Sequence, residues 1–218
     1  MTVKKETRTQ RYIGLSTDTK PTGSTIEWGS TFFEFNTGDT YITPDSSNWY
    51  LKESISPRRV KAVMTLSAAT AYASWDVLSD SISADKAHTW DFTSVIGYAG
   101  GMGEILGAQI LSNANVCSLE PVLFLYTTSN PVAAKIDNAA CNSPVQADVS
   151  SGVYLGRINF PNLAVQGASA NSNAMAFASQ FPVFFLTSST DNGIHGILMT
   201  ATAATFASKD ITINLWVK

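Results

Sequence analysis

The feature that most constrains the fold of this chain is a succession of short apolar segments separated by turn-forming residues. Each segment has the length of one β-strand, and no long amphipathic helical pattern lies between them. Nine segments fit this description: residues 60–66, 74–78, 89–96, 104–111, 121–126, 153–160, 183–186, 194–202 and 210–217. Strands at this spacing predict an all-β fold, an antiparallel β-sandwich, and eight of them would form a jelly roll.

Local patterns near the C-terminus support this assignment. In residues 211–217, Ile, Ile, Leu and Val alternate with Thr, Asn and Trp, which predicts a half-buried strand with one polar face. Upstream, Thr190-Asp191-Asn192-Gly193 separates the apolar segments 183–186 and 194–199. Because Asn-Gly favours the positive φ angles of tight turns, we expect a β-hairpin here. The alanine-rich residues 68–73 and 203–207 are too short for more than single helical turns.

An aromatic-rich segment precedes the predicted sandwich. Two aromatic runs flank a Thr37-Gly38-Asp39 turn, and a second turn, Pro44-Asp45-Ser46-Ser47-Asn48, precedes a further aromatic pair. A piece of this size cannot bury a stable core alone, so it must pack on something else. The candidate anchor residues are Trp28, Phe32, Phe33, Phe35, Tyr41, Trp49 and Tyr50.

These patterns predict three parts. Residues 1–20 form an extended N-terminal arm, residues 21–56 a small β-hairpin anchoring module, and residues 57–218 the sandwich domain. Pro57 marks the junction, because the residue before a proline is biased towards an extended conformation.

The composition is poor in charge. Charged residues make up 14% of the 218 residues, and hydrophobic residues make up 44%. A typical domain carries about 25% charged residues, so Ser, Thr, Asn, Gln and Ala must cover much of this surface. Such a surface suits a protein packed in an assembly; a secreted β protein with a neutral polar coat is the alternative.

The net charge of −3 and the pI of about 5.3 provide no basic field for nucleic acid. The one basic cluster, Lys4, Lys5, Arg8 and Arg11, contains Glu6 and no interleaved aromatic residue, so we interpret it as a tail or docking arm. No apolar run is long enough for a membrane span, and no leader pattern is present, so we expect neither nucleic acid nor membrane as a partner.

No constellation of residues predicts catalysis, a metal or a cofactor. His88 and His195 belong to no zinc-binding pattern, and no G-x-S-x-G motif marks a nucleophile. The long loop 127–151 contains four residues with oxygen ligands suited to calcium: Asp137, Asn138, Asn142 and Asp148. Their spacing does not match that of any known calcium-binding loop. Cys117 and Cys141 are interpreted as two buried free thiols, with a bridge between them left open.

The aromatic module has two interpretations. Its aromatic side chains would anchor a protein interface, where such residues are enriched. Alternatively, Trp28, Tyr41, Trp49 or Tyr50 would stack on a glycan. We favour the interface, because aromatic residues at this density in a short hairpin must first satisfy their own burial.

The chain resembles structural proteins of tailed-bacteriophage virions. The resemblance lies in the order of residues in 22–50, where Gly-Ser-Thr, Phe, Thr-Gly-Asp, Tyr and Trp follow one another. It continues through Thr65-Leu66-Ser67-Ala68-Ala69-Thr70-Ala71-Tyr72 and Asp76-Val77-Leu78-Ser79-Asp80. Shorter pieces lie at residues 107–110, 123–127, 136–140 and 156–160, so the likeness covers most of the chain after residue 20.

The resemblance implies a non-enzymatic capsid decoration (cement) protein with a β-sandwich or jelly-roll domain. Such a protein is a homotrimer on the capsid surface, is made in the host cytoplasm, and binds and stabilises the shell of the major capsid protein. A tail- or head-fibre-associated module that binds a receptor or carbohydrate is the alternative. A hydrolase of surface glycans is a third class, for which the sequence provides no motif.

Overall fold

The computed structural model describes residues 9–54, 57–67, 71–97, 99–113, 119–133, 135–165, 174–205 and 210–218. It divides the chain into two compact units. The N-terminal unit comprises Met1–Pro57 with Lys218, and the sandwich unit comprises Arg58–Val217. The cluster Lys4, Lys5 and Arg8 and the thiol of Cys117 lie outside the described residues.

The N-terminal unit contains one four-stranded sheet. Its strands, in spatial order, are β1 (Arg11–Gly14), β2 (Thr31–Glu34), β3 (Asp39–Ile42) and β4 (Tyr50–Ser54). The β2–β3 hairpin is confirmed: Gly38 adopts φ 78° and donates its N–H to the Glu34 carbonyl at 2.7 Å. Strand β1 comes from the segment assigned to the arm, and it pairs in parallel with β2.

The sandwich unit is built from thirteen strands and one short helix among the described residues. These are β5 (Arg58–Thr65), β6 (Ala71–Tyr72), β7 (Val77–Leu78), β8 (Trp90–Phe92), β9 (Met102–Ser112), β10 (Pro121–Tyr126), α1 (Gln146–Ser150), β11 (Tyr154–Asn159), β12 (Ala164–Val165), β13 (Ala174–Phe177), β14 (Val183–Leu186), β15 (Ile194–Thr200), β16 (Ala204–Thr205) and β17 (Asp210–Val217). No helix in the described ranges has the length and apolar character needed to cross a membrane.

Two sheets make the sandwich. One has the order β11-β10-β15-β7, with β8 also paired to β15. The other has the order β12-β13-β9-β17-β5, with β14 also paired to β9. Every strand pair of this unit is antiparallel, so the prediction of an all-β antiparallel sandwich is confirmed.

The core lies between the two sheets, where one apolar cluster joins Leu123 and Leu198 of the five-stranded sheet to Ile110, Ile213 and Leu215 of the six-stranded sheet. The predicted alternation in β17 is confirmed, because its Ile, Leu and Val side chains are buried in this cluster. Burial of side chains of this kind contributes about 1.5–3 kcal/mol each.

The five-stranded sheet is buried on its second face as well. Phe124, Ile197 and Met199 form a second cluster with Ala133 and Val145, which belong to the segment that connects β10 to β11. Both β10 and β15 are therefore buried along their whole length. The long connection, residues 127–153, covers the outer face of this sheet in its described part.

Two buried carboxylates attach this connection. Asp148 accepts the backbone N–H groups of Val132 and Ala133 at 2.8 and 3.0 Å. Asp137 accepts the Tyr72 hydroxyl at 3.0 Å and the Ser79 N–H at 2.8 Å. Since both side chains are almost fully buried, these hydrogen bonds are in an environment where an unpaired acceptor is costly.

The predicted hairpin at Thr190-Asp191-Asn192-Gly193 is wrong. Strand β14 pairs with β9, whereas β15 pairs with β10 in the other sheet, so the connection crosses between sheets. Neither Asn192 nor Gly193 adopts a positive φ angle. Asp191 instead accepts the N–H of Gly193 at 2.7 Å, which forms a local side-chain turn. The connection runs between the two sheets because β14 and β15 pair with strands of different sheets.

The alanine-rich segments also differ from expectation. Their described parts, Ala71–Tyr72 and Ala204–Thr205, pair as the two-stranded sheet β6–β16. The helix α1, inside the loop 127–151, had no amphipathic pattern long enough to predict it.

We expect Asp148→Ala to lower the free energy of unfolding by about 2–4 kcal/mol, because two backbone donors lose their buried acceptor. Urea denaturation of the full chain measures the change. Asp85→Ala, which removes an exposed carboxylate from the same unit, is the control and should shift the free energy by less than about 0.5 kcal/mol. Equal effects of the two substitutions would contradict the anchoring role of Asp148.

Candidate functional site

The sheet of the N-terminal unit has two chemically different faces, because successive side chains of a strand alternate. Cross-strand register places Tyr12, Phe32 and Tyr41 on one face, which we call the inner face. The register places Ile13, Phe33, Ile42 and Tyr50 on the opposite face, and the exposed Phe35 lies in the turn directly after β2. We call these five apolar side chains the aromatic face.

The inner face forms a small aromatic cluster. The Trp49 ring meets Tyr12 and Phe32 edge-on, with centroid separations of 6.2 and 6.1 Å. Its indole N–H donates to the Pro21 carbonyl at 2.7 Å. Phe32 is 3% exposed. Of the candidate anchors, Phe32 and Trp49 therefore stabilise the unit itself, in an edge-to-face geometry that adds to their burial energy.

A buried ion pair completes the inner face. Lys20 Nζ lies 2.5 Å from Glu34 Oε1, and the Thr37 hydroxyl donates to Glu34 Oε2 at 2.9 Å. The same ammonium group lies 4.0 Å from the centroid of the Tyr41 ring and 5.1 Å from that of Phe32. The ammonium group thus pairs with a buried carboxylate and contacts two aromatic rings. A third anchor candidate, Tyr41, therefore also stabilises the N-terminal unit itself.

The aromatic face is left uncovered. Ile13 is 70% exposed and Phe35 is 59% exposed, while Phe33 and Tyr50 are 38% and 39% exposed. Large apolar side chains grouped in this way on a soluble surface mark an interaction site. Sequence reasoning identified Phe33, Phe35 and Tyr50 but missed Ile13, because residues 1–20 were assigned to an arm.

The seventh candidate, Trp28, lies in the loop before β2. It is exposed and lines a groove of about 340 Å³ together with Glu27, Asp45 and Ser47. The Asn48 amide and backbone N–H groups and the Ser47 N–H hydrogen-bond Asp45 and lower its pKa to about 2, so this carboxylate stays ionised. The groove is polar, unlike the aromatic face.

The two histidines are held by carboxylates. His195 Nδ1 lies 2.7 Å from Asp91 Oδ1, and its Nε2 lies 2.9 Å from Asp191 Oδ2. His88 Nδ1 lies 2.6 Å from Asp80 Oδ2. Because both ring nitrogens of His195 face acceptors, neither is available to take a proton from a nucleophile.

The calcium hypothesis gains no support from the loop geometry. The carboxylates of Asp137 and Asp148 are engaged by the internal donors described above, and the described residues contain no group of three or more His, Cys, Asp or Glu side chains suited to a metal. Cys141 is a free thiol, and burial raises its pKa, which keeps it protonated.

The His195 contacts predict a pH dependence of stability. Burial lowers the pKa of His195, but hydrogen bonds and charges from Asp91 and Asp191 outweigh burial and raise it above the ordinary value. The Gly193 N–H and His195 lower the pKa of Asp191, and His195 and Thr89 lower that of Asp91 against its burial. The cationic histidine therefore stabilises the fold below its unfolded pKa of about 6.5 and stops doing so as the pH rises through its higher folded value. Asp91 and Asp191 stabilise the fold above their unfolded pKa of about 4, and this stabilisation is lost as the pH falls through their lower pKa values in the folded state.

We expect His195→Gln to lower the free energy of unfolding by about 1–2 kcal/mol near pH 6 and by less near pH 9. The value allows for solvent screening of the half-exposed carboxylates. Urea denaturation of both proteins at the two pH values measures the difference. His88→Gln, which breaks an exposed pair, should show a smaller cost at both. An equal cost of His195→Gln at both pH values would mean that the charge on His195 does not contribute.

Comparison with known proteins leaves the family open. No protein-family description and no curated protein matches the chain. Among solved structures, a similar chain comes from the "Structure of a marine algae virus of the order Picornavirales", with a TM-score of 0.22 and 17% identity over 76% of this chain and 69% of that chain. A likeness at this TM-score does not bear on function.

Proposed function

We propose that this chain is a non-enzymatic virion component of a tailed bacteriophage. In this proposal it is a capsid decoration (cement) protein that binds the shell of the major capsid protein and stabilises it. The observation that carries the proposal is the aromatic face, where four large apolar side chains share one side of a small sheet and Phe35 follows in the adjoining turn. The sequence resemblance adds the viral setting.

The energetics of the aromatic face favour a protein partner. Full burial of an exposed Phe or Ile side chain contributes about 1.5–3 kcal/mol. Ile13, Phe33 and Phe35 are 70%, 38% and 59% exposed, so on binding each would contribute roughly that fraction of the value. Aromatic side chains are enriched at the centres of such interfaces. The Lys20–Glu34 pair and the Trp49 cluster keep the sheet rigid, which reduces the entropy lost on binding.

The remainder of the chain fits a surface component of a particle. The sandwich has a continuous core, and the chain carries little charge to repel neighbouring copies in an assembly. We propose a homotrimer on the capsid surface with no cofactor. The pairing of both His195 nitrogens with carboxylates supports a non-enzymatic role.

The alternative function is a tail- or head-fibre-associated module that binds a receptor or carbohydrate. The observation that favours it is the polar groove beside Trp28, where an exposed indole adjoins Glu27 and Asp45. An aromatic ring next to hydrogen-bonding groups is the usual composition of a small-ligand site.

Immunogold electron microscopy of the parent particle, with antibody against this chain, separates the two functions. Label over the head would support the decoration role, whereas label confined to the tail would support a role in host attachment. Absence of label on intact particles would contradict both surface roles. Sedimentation equilibrium tests the trimer, which should have three times the chain mass of 23.4 kDa.

We expect the double substitution Phe33→Ser and Phe35→Ser to weaken binding to shells that lack this protein by about a hundredfold or more, because two apolar anchors are lost. Co-sedimentation of the full chain with shells measures binding. Phe184→Ser removes a phenylalanine from the sandwich unit that is more exposed than Phe33 or Phe35, at 71%, and is the control.

The control variant should bind shells like the unchanged protein, and thermal unfolding should verify that the double variant is folded. Equal binding by the double variant and the control would exclude the aromatic face as the anchor. The same comparison with Trp28→Ser tests the groove of the alternative function.

A further inference from the structure

The two sheets of the sandwich unit differ in how their outer faces are covered. The connection between β10 and β11 covers the five-stranded sheet. The outer face of the six-stranded sheet carries exposed side chains on β5, β9, β13 and β14, such as Val63, Leu106, Phe177 and Phe184. A groove of about 530 Å³ crosses this face over β5 and β17, and we call it the β17 groove.

A row of polar side chains runs from the β17 groove, where Lys61 and Asn214 line it, to Gln109 beside it on β9. Lys61, Asn214 and Gln109 lie opposite one another on β5, β17 and β9. Asn214 Nδ2 donates to Gln109 Oε1 at 3.0 Å, and Gln109 Nε2 has the Met175 thioether as its acceptor, at 3.8 Å. A thioether is a weak acceptor, so the Gln109 amide has capacity for a better one.

Asn214 carries an unsatisfied acceptor in this row. The residue lines the groove and is 5% exposed, and among the described residues its Oδ1 has no hydrogen-bond partner. Buried polar atoms without partners are rare in native proteins, and each one calls for an explanation. A donor supplied by a ligand in the groove would satisfy this atom.

The groove is bordered by two cations. Arg59 and Lys61 are exposed on β5, and neither forms a salt bridge within the part of the chain that the structure describes. The acidic residue of the groove, Asp210, is already engaged, because it accepts the Thr65 hydroxyl at 2.5 Å and the Asn113 amide at 3.3 Å. The cations are therefore available to an anionic ligand.

An aromatic ring lies beside the polar row. Trp216 is opposite Arg59 on one side and Gly107 on the other. A Cβ atom at Gly107 would lie 3.4 Å from Trp216 Cε3, so the indole occupies the space that a side chain on β9 would fill. The half-buried indole adds an aromatic surface to this side of the sheet.

We infer that the β17 groove binds an acidic oligosaccharide. Arg59 and Lys61 would pair with its carboxylates, Asn214 Oδ1 would accept a sugar hydroxyl, and the Gln109 amide would donate to a ring or hydroxyl oxygen. Trp216 would pack against the apolar face of a sugar ring. The inference does not depend on shell binding, because it uses other residues.

An acidic peptide fits this groove less well. Peptides commonly bind by adding a strand to a sheet edge, but the groove lies on the face of β17, whose backbone groups already pair with β5 and β9. A lining of amides, hydroxyls and cations, with the Trp216 indole on the same side of the sheet, matches the alternating polar and apolar surfaces of a sugar.

A glycan array tests the inference with the full chain. The probes are oligosaccharides that contain uronic or sialic acid, with neutral oligosaccharides of equal length alongside. We expect retention of acidic probes, with affinity that falls as salt is raised. Arg59→Glu and Lys61→Glu should each weaken binding about tenfold or more, and Asn214→Leu by about tenfold, from the loss of one hydrogen bond to the sugar.

Lys86→Glu, which reverses an exposed cation in a loop of the same unit, is the matched control and should retain binding. Because the charge reversals are at exposed positions, misfolding does not confound them, and thermal unfolding checks Asn214→Leu. Failure to retain any acidic probe above the neutral ones would overturn the inference. So would equal binding by Arg59→Glu and Lys86→Glu, or retention of poly-glutamate in place of the glycans. Shell binding by Arg59→Glu should stay unchanged, which separates this site from the proposed function.

Discussion

The sandwich depends on the burial of one strand pair, β10 and β15, on both of its faces. Leu123 faces the core between the sheets, while the neighbouring Phe124 faces the connection that covers the outer side. The Leu123 side chain packs over Gly196, where a Cβ would lie 2.5 Å from Leu123 Cδ1, so a larger residue at this position would displace Leu123 in the core. Strands β7, β8 and β11 all pair with this central pair, and their positions follow from it.

The same constraint determines which surfaces are left for partners. A sheet that is apolar on both faces must be covered twice, and the connection held by Asp137 and Asp148 supplies the second cover. The six-stranded sheet carries polar side chains between its apolar ones, so its outer face is stable in water. In the N-terminal unit, Trp49 and Lys20 complete the inner face and leave the aromatic face without a cover.

Sequence reasoning succeeded where the signal was local. Strands β10, β14 and β17 have the predicted bounds, because the first two are short apolar runs and the third alternates apolar with polar residues. Reasoning failed where distant pairing decides the outcome. The Asn-Gly turn does not join a hairpin, because β14 and β15 each find a better partner elsewhere. Strand β1 has four residues and forms only by pairing with β2, so Ile13 was missed. The β17 groove was missed for the same reason, since Lys61, Gln109 and Asn214 meet only through the register of three strands.

The two exposed surfaces differ in the kind of binding that their chemistry can support. The aromatic face is mainly apolar, although the exposed Arg11 and the Tyr50 hydroxyl lie on the same side of the sheet, so most of its affinity comes from the apolar surface buried and depends weakly on salt. Such a surface suits a partner of fixed shape that excludes water and stays bound. The β17 groove offers amides and cations, with one indole beside it, and each polar contact there replaces a contact with water, so the net gain per contact is small. A polar site of this kind suits a ligand that binds reversibly and is selected by its charge and hydroxyl pattern. A particle component benefits from both properties, because attachment to a shell must persist while recognition at the surface must be reversible.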